Sequence, residues 1–398
     1  MARLTIDDLK VEGKRVLIRV DFNVPLDKNQ NITDDFRIRA ALPTIQKLLA
    51  GGARVILMSH LGRPKGKKAP EFSLKPVAER LQKYLKNKVY FSPDCIGIEV
   101  KSLVNSLQNG EVLLLENLRF YAEEEKNDPD FSAKLAELAE IYVNDAFGTS
   151  HRAHASTAGI CQYIPQRAAG YLLEKELHYL HDYLENPAKP YTAVLGGAKV
   201  TGKIEIIERL FGKVDNILIG GGMAYTFLKA LGYEIGKSLL EEDKIALAKE
   251  TLEKAKQFGC QIILPKDVVI ADEVAETVEC EVVSIDRIPA DKMGVDIGPE
   301  TSVIFSEIIE KSKTVLWNGP VGVFEIKKFS TGTETVARKL AEITEKGAVT
   351  VVGGGDSASA MEKFGLMDKV THVSTGGGAS LELLSGLELI PVNLISNK

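Results

Sequence analysis

The sequence has few cysteines and no metal-ligand spacing among them. Its four, Cys95, Cys161, Cys260 and Cys280, lie far apart with no C-x-x-C pair. That excludes a disulfide framework or a clustered zinc site and predicts buried thiols in a reducing compartment. Aromatic residues are sparse at 7%, so a stacking platform for single-stranded nucleic acid is a poor fit. Positive charge is not in excess either. Against 55 Asp+Glu there are 50 Lys+Arg, a net charge of −5, which gives no global attraction to nucleic acid or an anionic membrane. No run of about 18 uncharged apolar residues occurs, so no membrane-spanning helix is expected. The N-terminal MARLTIDDLK meets charge at once and lacks an apolar h-region, so no secretory signal is expected and the cytoplasm is the expected compartment.

What is present is a well-cored globular chain, 44% hydrophobic and 26% charged over 398 residues, long enough for two or three domains. Short β-branched runs recur, each followed by a Gly-rich or polar turn and a segment with helical spacing. The first half reads RVLIRV (15–20), ARVILM (53–58), KVYF (88–91), EVLLL (111–115) and IYV (141–143), with helices predicted at 38–50, 73–87 and 131–140. The rhythm restarts with TAVL (192–195), NILI (216–219), QIIL (261–264), TVLW (314–317) and VTVV (349–352). Runs apolar throughout, without alternation, suit parallel strands buried on both faces. The expected fold is α/β: two doubly wound Rossmann-like domains with parallel sheets, joined by a helix and hinge.

The boundary is expected where an amphipathic helix ends at Asn186-Pro187, because Pro disfavours helix for the residue before it. That gives a first domain over 1–170, a connecting helix over 171–186 and a second domain over 187–385. The segment 386–398 is too apolar for a loose tail and too short for a domain, and is expected to dock back on the first domain.

Residues 54–90 hold ten Lys/Arg and only two acids, Glu71 and Glu79. Lys83, Lys86 and Lys88 fit a solvated helix face. Arg37, Arg63, Arg119 and Arg152 instead fall just after strands or on the turns beyond them, together with Asp21, Asn23 and His60. In open α/β sheets the carboxyl ends of the strands form the ligand edge. Arg is suited to holding a multiply charged oxyanion there through planar, bidentate hydrogen bonds. The implied ligand carries a phosphate and a carboxylate.

The second half has Gly-rich loops instead: LGGAKVTGK (195–203), IGGGMAY (219–225), WNGPVGVFE (317–325), VGGGDSAS (352–359) and STGGGAS (374–380). Glycine admits a close ligand, and helix N-termini bind anions; five such loops point to a nucleotide. Gly197 to Lys203 fits G-x-x-x-x-G-K, but Ile204 follows where a P-loop needs Ser or Thr for Mg²⁺. Gly353 to Ala358 fits G-x-G-x-x-A, but Ser374 and Thr375 stand where a dinucleotide site needs an acid for the ribose. Asp356, inside the glycine loop, would repel a bare phosphate but can ligate a Mg²⁺ that bridges phosphates; the alternative is a simple helix N-cap.

An Arg-lined anion site in one domain and a nucleotide site with Lys199, Lys203 and Asp356 in the other predict phosphoryl transfer, which depends on positioning and charge neutralisation. A carboxylate acceptor needs no general base, since a carboxyl group of pKa about 3.5 is already ionised at neutral pH. The competing readings are an NAD-dependent dehydrogenase, resting on 353–358 alone, and a non-enzymatic two-domain anion-binding protein.

Taken together, RVDFNVP, SHLGRP, ENLRF, NDAFGTSHRAHAS, GGAKVTGKI, GGGMAYTF, WNGPVGVFE and GGGDSAS resemble the phosphoglycerate kinase family, in order and over essentially the whole chain. The resemblance implies a cytoplasmic monomer with hinge-bending closure. It also implies Mg²⁺-dependent, reversible transfer from 1,3-bisphosphoglycerate to ADP, giving 3-phosphoglycerate and ATP in glycolysis, with no nucleic-acid or membrane partner. By the same resemblance Asp21, Asn23, Arg37, His60, Arg63, Arg119 and Arg152 bind phosphoglycerate, while Arg37, Lys199 and the loop Gly376, Gly377 and Gly378 face the transferring group. Gly197, Ala198, Lys203, Gly221, Gly222, Gly294, Pro320, Gly322, Val323 and Glu325 would hold the nucleotide, with Gly354, Gly355, Asp356 and Ser357 at its phosphates and metal. Gly202 and Ser357 stand where many relatives carry an acid and a Thr.

Overall fold

The apolar runs become parallel strands, as their lack of alternation predicts. In the first half these are β1 (Arg15–Val20), β2 (Arg54–Met58), β3 (Val89–Phe91), β4 (Val112–Leu114), β5 (Ile141–Asp145) and β6 (Arg167–Ala169), ordered β3-β4-β2-β1-β5-β6. Every pairing is parallel. Side chains along β1 alternate between two cores. Val16, Ile18 and Val20 join Ile38, Ile45 and Leu57 on one face, while Leu17 joins Ile56, Leu113 and Tyr142 on the other. Burying each such side chain contributes about 1.5–3 kcal/mol. Arg19 shares the parity of Leu17 and is therefore carried into the second layer, sealed from solvent.

The connecting helices are α1 (Phe36–Ala50), α2 (Lys75–Tyr84), α3 (Ile98–Ser106), α4 (Ala122–Glu125), α5 (Pro129–Ala136) and α6 (Tyr171–Leu177). α5 starts at Pro129, two residues before the expected 131, because the Asp128 side chain accepts the Phe131 N–H at 2.9 Å and proline pre-sets the first turn. The helix expected over 171–186 runs as α6, a π-helical turn over His178–Asp182 and a short α7 (Tyr183–Glu185) in direct succession.

The second half holds a parallel sheet of β7 (Tyr191–Leu195), β8 (Asn216–Ile219), β9 (Gln261–Ile263), β13 (Thr314–Asn318), β14 (Val349–Gly353) and β15 (His372–Val373), ordered β15-β14-β13-β7-β8-β9. A small antiparallel sheet, β11-β10-β12, comprises β10 (Asp267–Ala271), β11 (Cys280–Ser284) and β12 (Met293–Ile297). The sequence reading did not anticipate it. Cys280 corrects the expectation of four buried thiols: it lies exposed on the outer strand β11, whereas Cys95, Cys161 and Cys260 are buried. The helices here are α8 (Ile204–Leu210), α9 (Met223–Ala230), α10 (Ile245–Gln257), α11 (Pro299–Lys311), α12 (Thr331–Glu345), α13 (Gly355–Lys363) and α14 (Gly378–Leu384), and α15 (Ile390–Asn393) follows.

The computed structural model describes residues 3–398, which divide into two compact units: the chain through Leu177 with Glu388–Lys398, and His178–Leu387. In the first unit the edge of β6 is covered, with Thr5 bridging Ala169 and Arg3 bridging Asn397. Arg167 donates to the Leu394 carbonyl at 2.7 Å and accepts from the Ser396 N–H at 3.0 Å. No helix among the described residues is long and apolar enough to cross a membrane.

Candidate active site

Both parallel sheets reverse direction of growth at a central strand. In the first unit β1 has β2 on one side and β5 on the other; in the second β7 stands between β8 and β13. Loops leaving neighbouring strands at such a point diverge to opposite faces and open a crevice for ligand. Many of the residues singled out from the sequence lie on these loops, while Arg119 follows β4, Gly354 to Ser357 follow β14 and Gly294 lies within β12.

In the first unit, Arg37 on the first turn of α1 is ion-paired with Asp21, just beyond β1. His60, beyond β2, has Nδ1 4.0 Å from Asp21 Oδ1. Asn23 accepts the Gly62 N–H at 2.8 Å, and Arg119 donates to the Gly62 carbonyl at 2.9 Å and faces Glu125 at 3.2 Å. Asp21, Asn23, Arg37, His60 and Arg119 are thus one contact network. Arg152 is exposed against the His151 ring nitrogen at 3.0 Å, and its charge is felt by Arg119. Arg63 is exposed and has no hydrogen bond or ion pair among the described residues.

The electrostatics of this network are set by burial and by Arg. Burial pushes the Asp21 carboxyl upward, but the Arg37 and Arg19 guanidiniums outweigh it and hold it below its ordinary value. His60 is held neutral: burial lowers its pKa well below the usual value, Asp21 opposes this, and Arg19, Arg119 and Arg37 add to it. Beneath lies a group the sequence reading missed. Arg19 donates from Nε to Ser156 Oγ at 2.8 Å and approaches His60 Nδ1 at 3.1 Å, while Ser156 donates to the buried Glu124 at 2.6 Å. The available signal was a cation inside an otherwise apolar strand run, RVLIRV. His154, 4.0 Å from Glu124, is brought down to about 4 by burial and by Arg19, Arg119 and Arg152.

In the second unit a cavity of about 410 Å³ lies at the β7/β13 switch, within the usual range for a small-molecule site. Gly197, Ala198, Gly221, Gly222, Gly294, Pro320, Gly322, Val323, Glu325 and Asp356 line it. The loops after β7, β8 and β13 are laced by backbone bonds: Gly197 N–H to the Pro320 carbonyl at 2.8 Å, Gly221 N–H to Val321 at 2.9 Å, and Met223 N–H to Gly197 at 3.0 Å. Glycine is required by this closeness; a Cβ on Gly222 would sit 2.9 Å from the Ala198 carbonyl oxygen. Lys203 donates to the Asn318 backbone oxygen at 3.4 Å and to its side-chain oxygen. Burial brings the Lys203 ammonium down to about 8, against the pull of Asp356. Ser357 Oγ accepts the Gly319 N–H at 2.7 Å, and Gly354 takes a left-handed φ of +90° at the entry to α13.

Lys199 is exposed and unpartnered among the described residues. Gly376 and Gly377 lie on the loop after β15 and Gly378 opens α14, all outside the cavity lining. The cavity also has walls that no motif announced. Tyr225, Leu239 and Asp296 line it, and burial raises Asp296 to about 7, opposed by hydrogen bonds from the Gly332 and Ile297 N–H groups. The small antiparallel sheet supplies this side through β12.

Asp356 is exposed in the first turn of α13 and makes no hydrogen bond or ion pair among the described residues. A single free carboxylate beside a phosphate-sized glycine loop fits Mg²⁺, which keeps several waters and binds through one or two carboxylates plus substrate phosphates.

The chain as a whole is matched by known proteins. The family model described as phosphoglycerate kinase matches residues 6–387. Curated phosphoglycerate kinases of Chloroherpeton thalassium and Chlorobium chlorochromatii are each 57% identical over 100% of both chains. The solved phosphoglycerate kinase of Coxiella burnetii superposes with a TM-score of 0.86 at 43% identity, covering 99% of this chain and 98% of its own. That of Pyrococcus horikoshii gives 0.84 at 30% identity over 98% of each. Matched end to end in sequence and in fold, the chain belongs to the phosphoglycerate kinase family.

Proposed function

We infer that the chain is a phosphotransferase with a carboxyl group as acceptor, moving a phosphoryl group reversibly between 1,3-bisphosphoglycerate and ADP to give 3-phosphoglycerate and ATP in glycolysis. The observation that carries the assignment of roles is the glycine-lined cavity flanked by Lys203 and Asp356. It offers backbone contact to a nucleotide, a cation for its phosphates and one carboxylate for a metal. Gly197, Ala198, Gly221, Gly222, Gly294, Pro320, Gly322, Val323 and Glu325 hold the nucleoside, and Gly354, Gly355 and Ser357 shape the phosphate loop. Asp356 would hold Mg²⁺, which when bound neutralises charge on the nucleotide phosphates.

In the first unit Arg63, Arg119 and Arg152 hold the phosphate of phosphoglycerate, with Asp21, Asn23 and His60 placing the rest of the molecule. Arg37 and Lys199, with the backbone of Gly376, Gly377 and Gly378, stabilise charge on the transferring group. The bond from phosphorus to the acyl oxygen breaks as the bond to the ADP β-phosphate oxygen forms. The ADP oxygen attacks as an anion and the acyl oxygen leaves as a carboxylate, so no side chain needs to move a proton. Because each substrate is held on a different unit, turnover requires hinge closure, which also excludes water from the acyl phosphate. The chain acts as a cytoplasmic monomer in this scheme, since one chain carries both sites.

The test is a coupled assay for ATP formation from 1,3-bisphosphoglycerate and ADP with Mg²⁺. Turnover that disappears on chelation and returns with Mg²⁺ is expected; a folded, Mg²⁺-supplied sample without activity would overturn the assignment. Scattering from the free protein against its ternary complex tests closure, and an unchanged radius of gyration removes it.

A further inference from the structure

The segment Gly197–Lys203 has the glycine and lysine spacing of a phosphate-cradling loop, in which free backbone N–H groups do the cradling. Here two of those donors are already engaged. Glu241, in the stretch between α9 and α10, accepts the N–H of Val200 and that of Thr201 at 3.1 Å, and its other oxygen accepts the Thr201 hydroxyl at 2.6 Å. The Glu241 N–H in turn donates to Thr226 Oγ1 at 3.3 Å, and Thr226 is buried on α9. A carboxylate of the chain therefore stands where a phosphate would stand in a true P-loop. Two anions do not share one set of donors, because like charges at hydrogen-bonding separation repel.

Lys199 sits next to these bonds. The loop is bounded by Gly197 at φ +98° and Gly202 at φ +80°, each with open space around the missing Cβ. A left-handed glycine has no Cβ to restrict it, so where residues 198–201 stand depends on the bonds they make: Gly197 is tied to Pro320 and Met223, and the Val200 carbonyl accepts the Lys203 N–H at 2.8 Å. Glu241 holds Val200 and Thr201, immediately after Lys199, while the Lys199 side chain projects to solvent without a partner among the described residues.

We propose that Glu241 is a positioning residue for Lys199: it pins the 199–201 backbone so that the ammonium meets the transferring phosphoryl group, and it denies that backbone to nucleotide phosphate. This rests on the role assigned to Lys199 above. Misplacing a charge-stabilising group by about 1 Å can cost up to about 100-fold in rate.

A double-mutant cycle decides the matter. Glu241→Ala should lower kcat by about tenfold or more while the KM for 3-phosphoglycerate stays within about twofold. Glu241→Gln, which keeps an acceptor oxygen, should recover part of the loss. In a Lys199→Ala background, Glu241→Ala should cost nothing further, because the group it positions is gone. If Lys199→Ala is slow and the two losses multiply, Glu241 acts by another route and the proposal is overturned with Lys199 intact. If Lys199→Ala turns over at the parent rate, the Lys199 role fails and the proposal falls with it. Should Glu241→Ala not fold, Glu241→Gln carries the cycle, and its smaller loss should likewise vanish in the Lys199→Ala background.

Discussion

Arg37 is ion-paired with Asp21, and Asp21 is sealed from solvent while Arg37 is about one-third exposed. The cation assigned to the transferring group is thus anchored on one side and open on the other. Arg37→Ala should lower kcat by about 100-fold or more, the scale of losing one preorganised donor to a developing charge. Arg37→Lys keeps a charge beside Asp21 and should hold the melting temperature of the parent, yet remain slow because the planar fork is lost. Either variant turning over at the parent rate while folded would remove Arg37 from the reaction.

Asp356→Ala should weaken Mg·ADP binding by about tenfold or more, a loss of about 1.4 kcal/mol or more, while binding of metal-free ADP changes little. Calorimetry with and without Mg²⁺ separates the two. Equal affinities for Mg·ADP in the variant and parent would take Asp356 out of the metal site.

Gly322 and Gly332 both press on the Asp296 carboxylate, and a Cβ on either would collide with it. Gly322→Ala should destabilise the protein by about 1–3 kcal/mol and raise the KM for nucleotide without changing that for phosphoglycerate. A variant with normal nucleotide KM would show that the 320–323 loop does not shape that site.

Asp145, at the end of β5, accepts the Leu173 N–H of α6 at 3.2 Å through Oδ1, and Oδ2 has no partner. Burial raises its pKa from 3.8 to about 7. The folded state therefore binds a proton that the unfolded state has released between these values. Its contribution to stability is fully present below pH 3.8 and is lost as pH rises through about 7. Asp145→Asn cannot ionise, so urea unfolding should find it more stable than the parent at pH 8, by a margin that shrinks steadily as pH falls toward 3.8. A constant difference across that range would mean that Asp145 does not titrate in the fold.

The β-rhythm and the glycine loops were legible because each is local: β-branched runs and glycines announce themselves within a few residues. The strand ends carrying Asp21, His60 and Arg119 followed from the sheet rule. Arg19, Glu124, Asp296 and Glu241 were not legible, since each matters through a partner many residues away and none sits in a motif. The small antiparallel sheet was missed for a related reason. β12 carries Gly294 and Asp296 within five residues, a composition that argues against a strand until the cavity it lines is seen.

The return of residues 388–398 to the first unit bears on how the chain is made. Leu4 donates to the Ser396 carbonyl at 2.7 Å, and Arg167 waits for Leu394 and Ser396. During synthesis from the N-terminus, the stretch 178–387 emerges and can fold as a unit while the first unit still lacks these partners. The half of the protein translated first is therefore the last to be completed, and nascent chains stalled before residue 394 should leave the Arg167 end of β6 open to protease or chaperone.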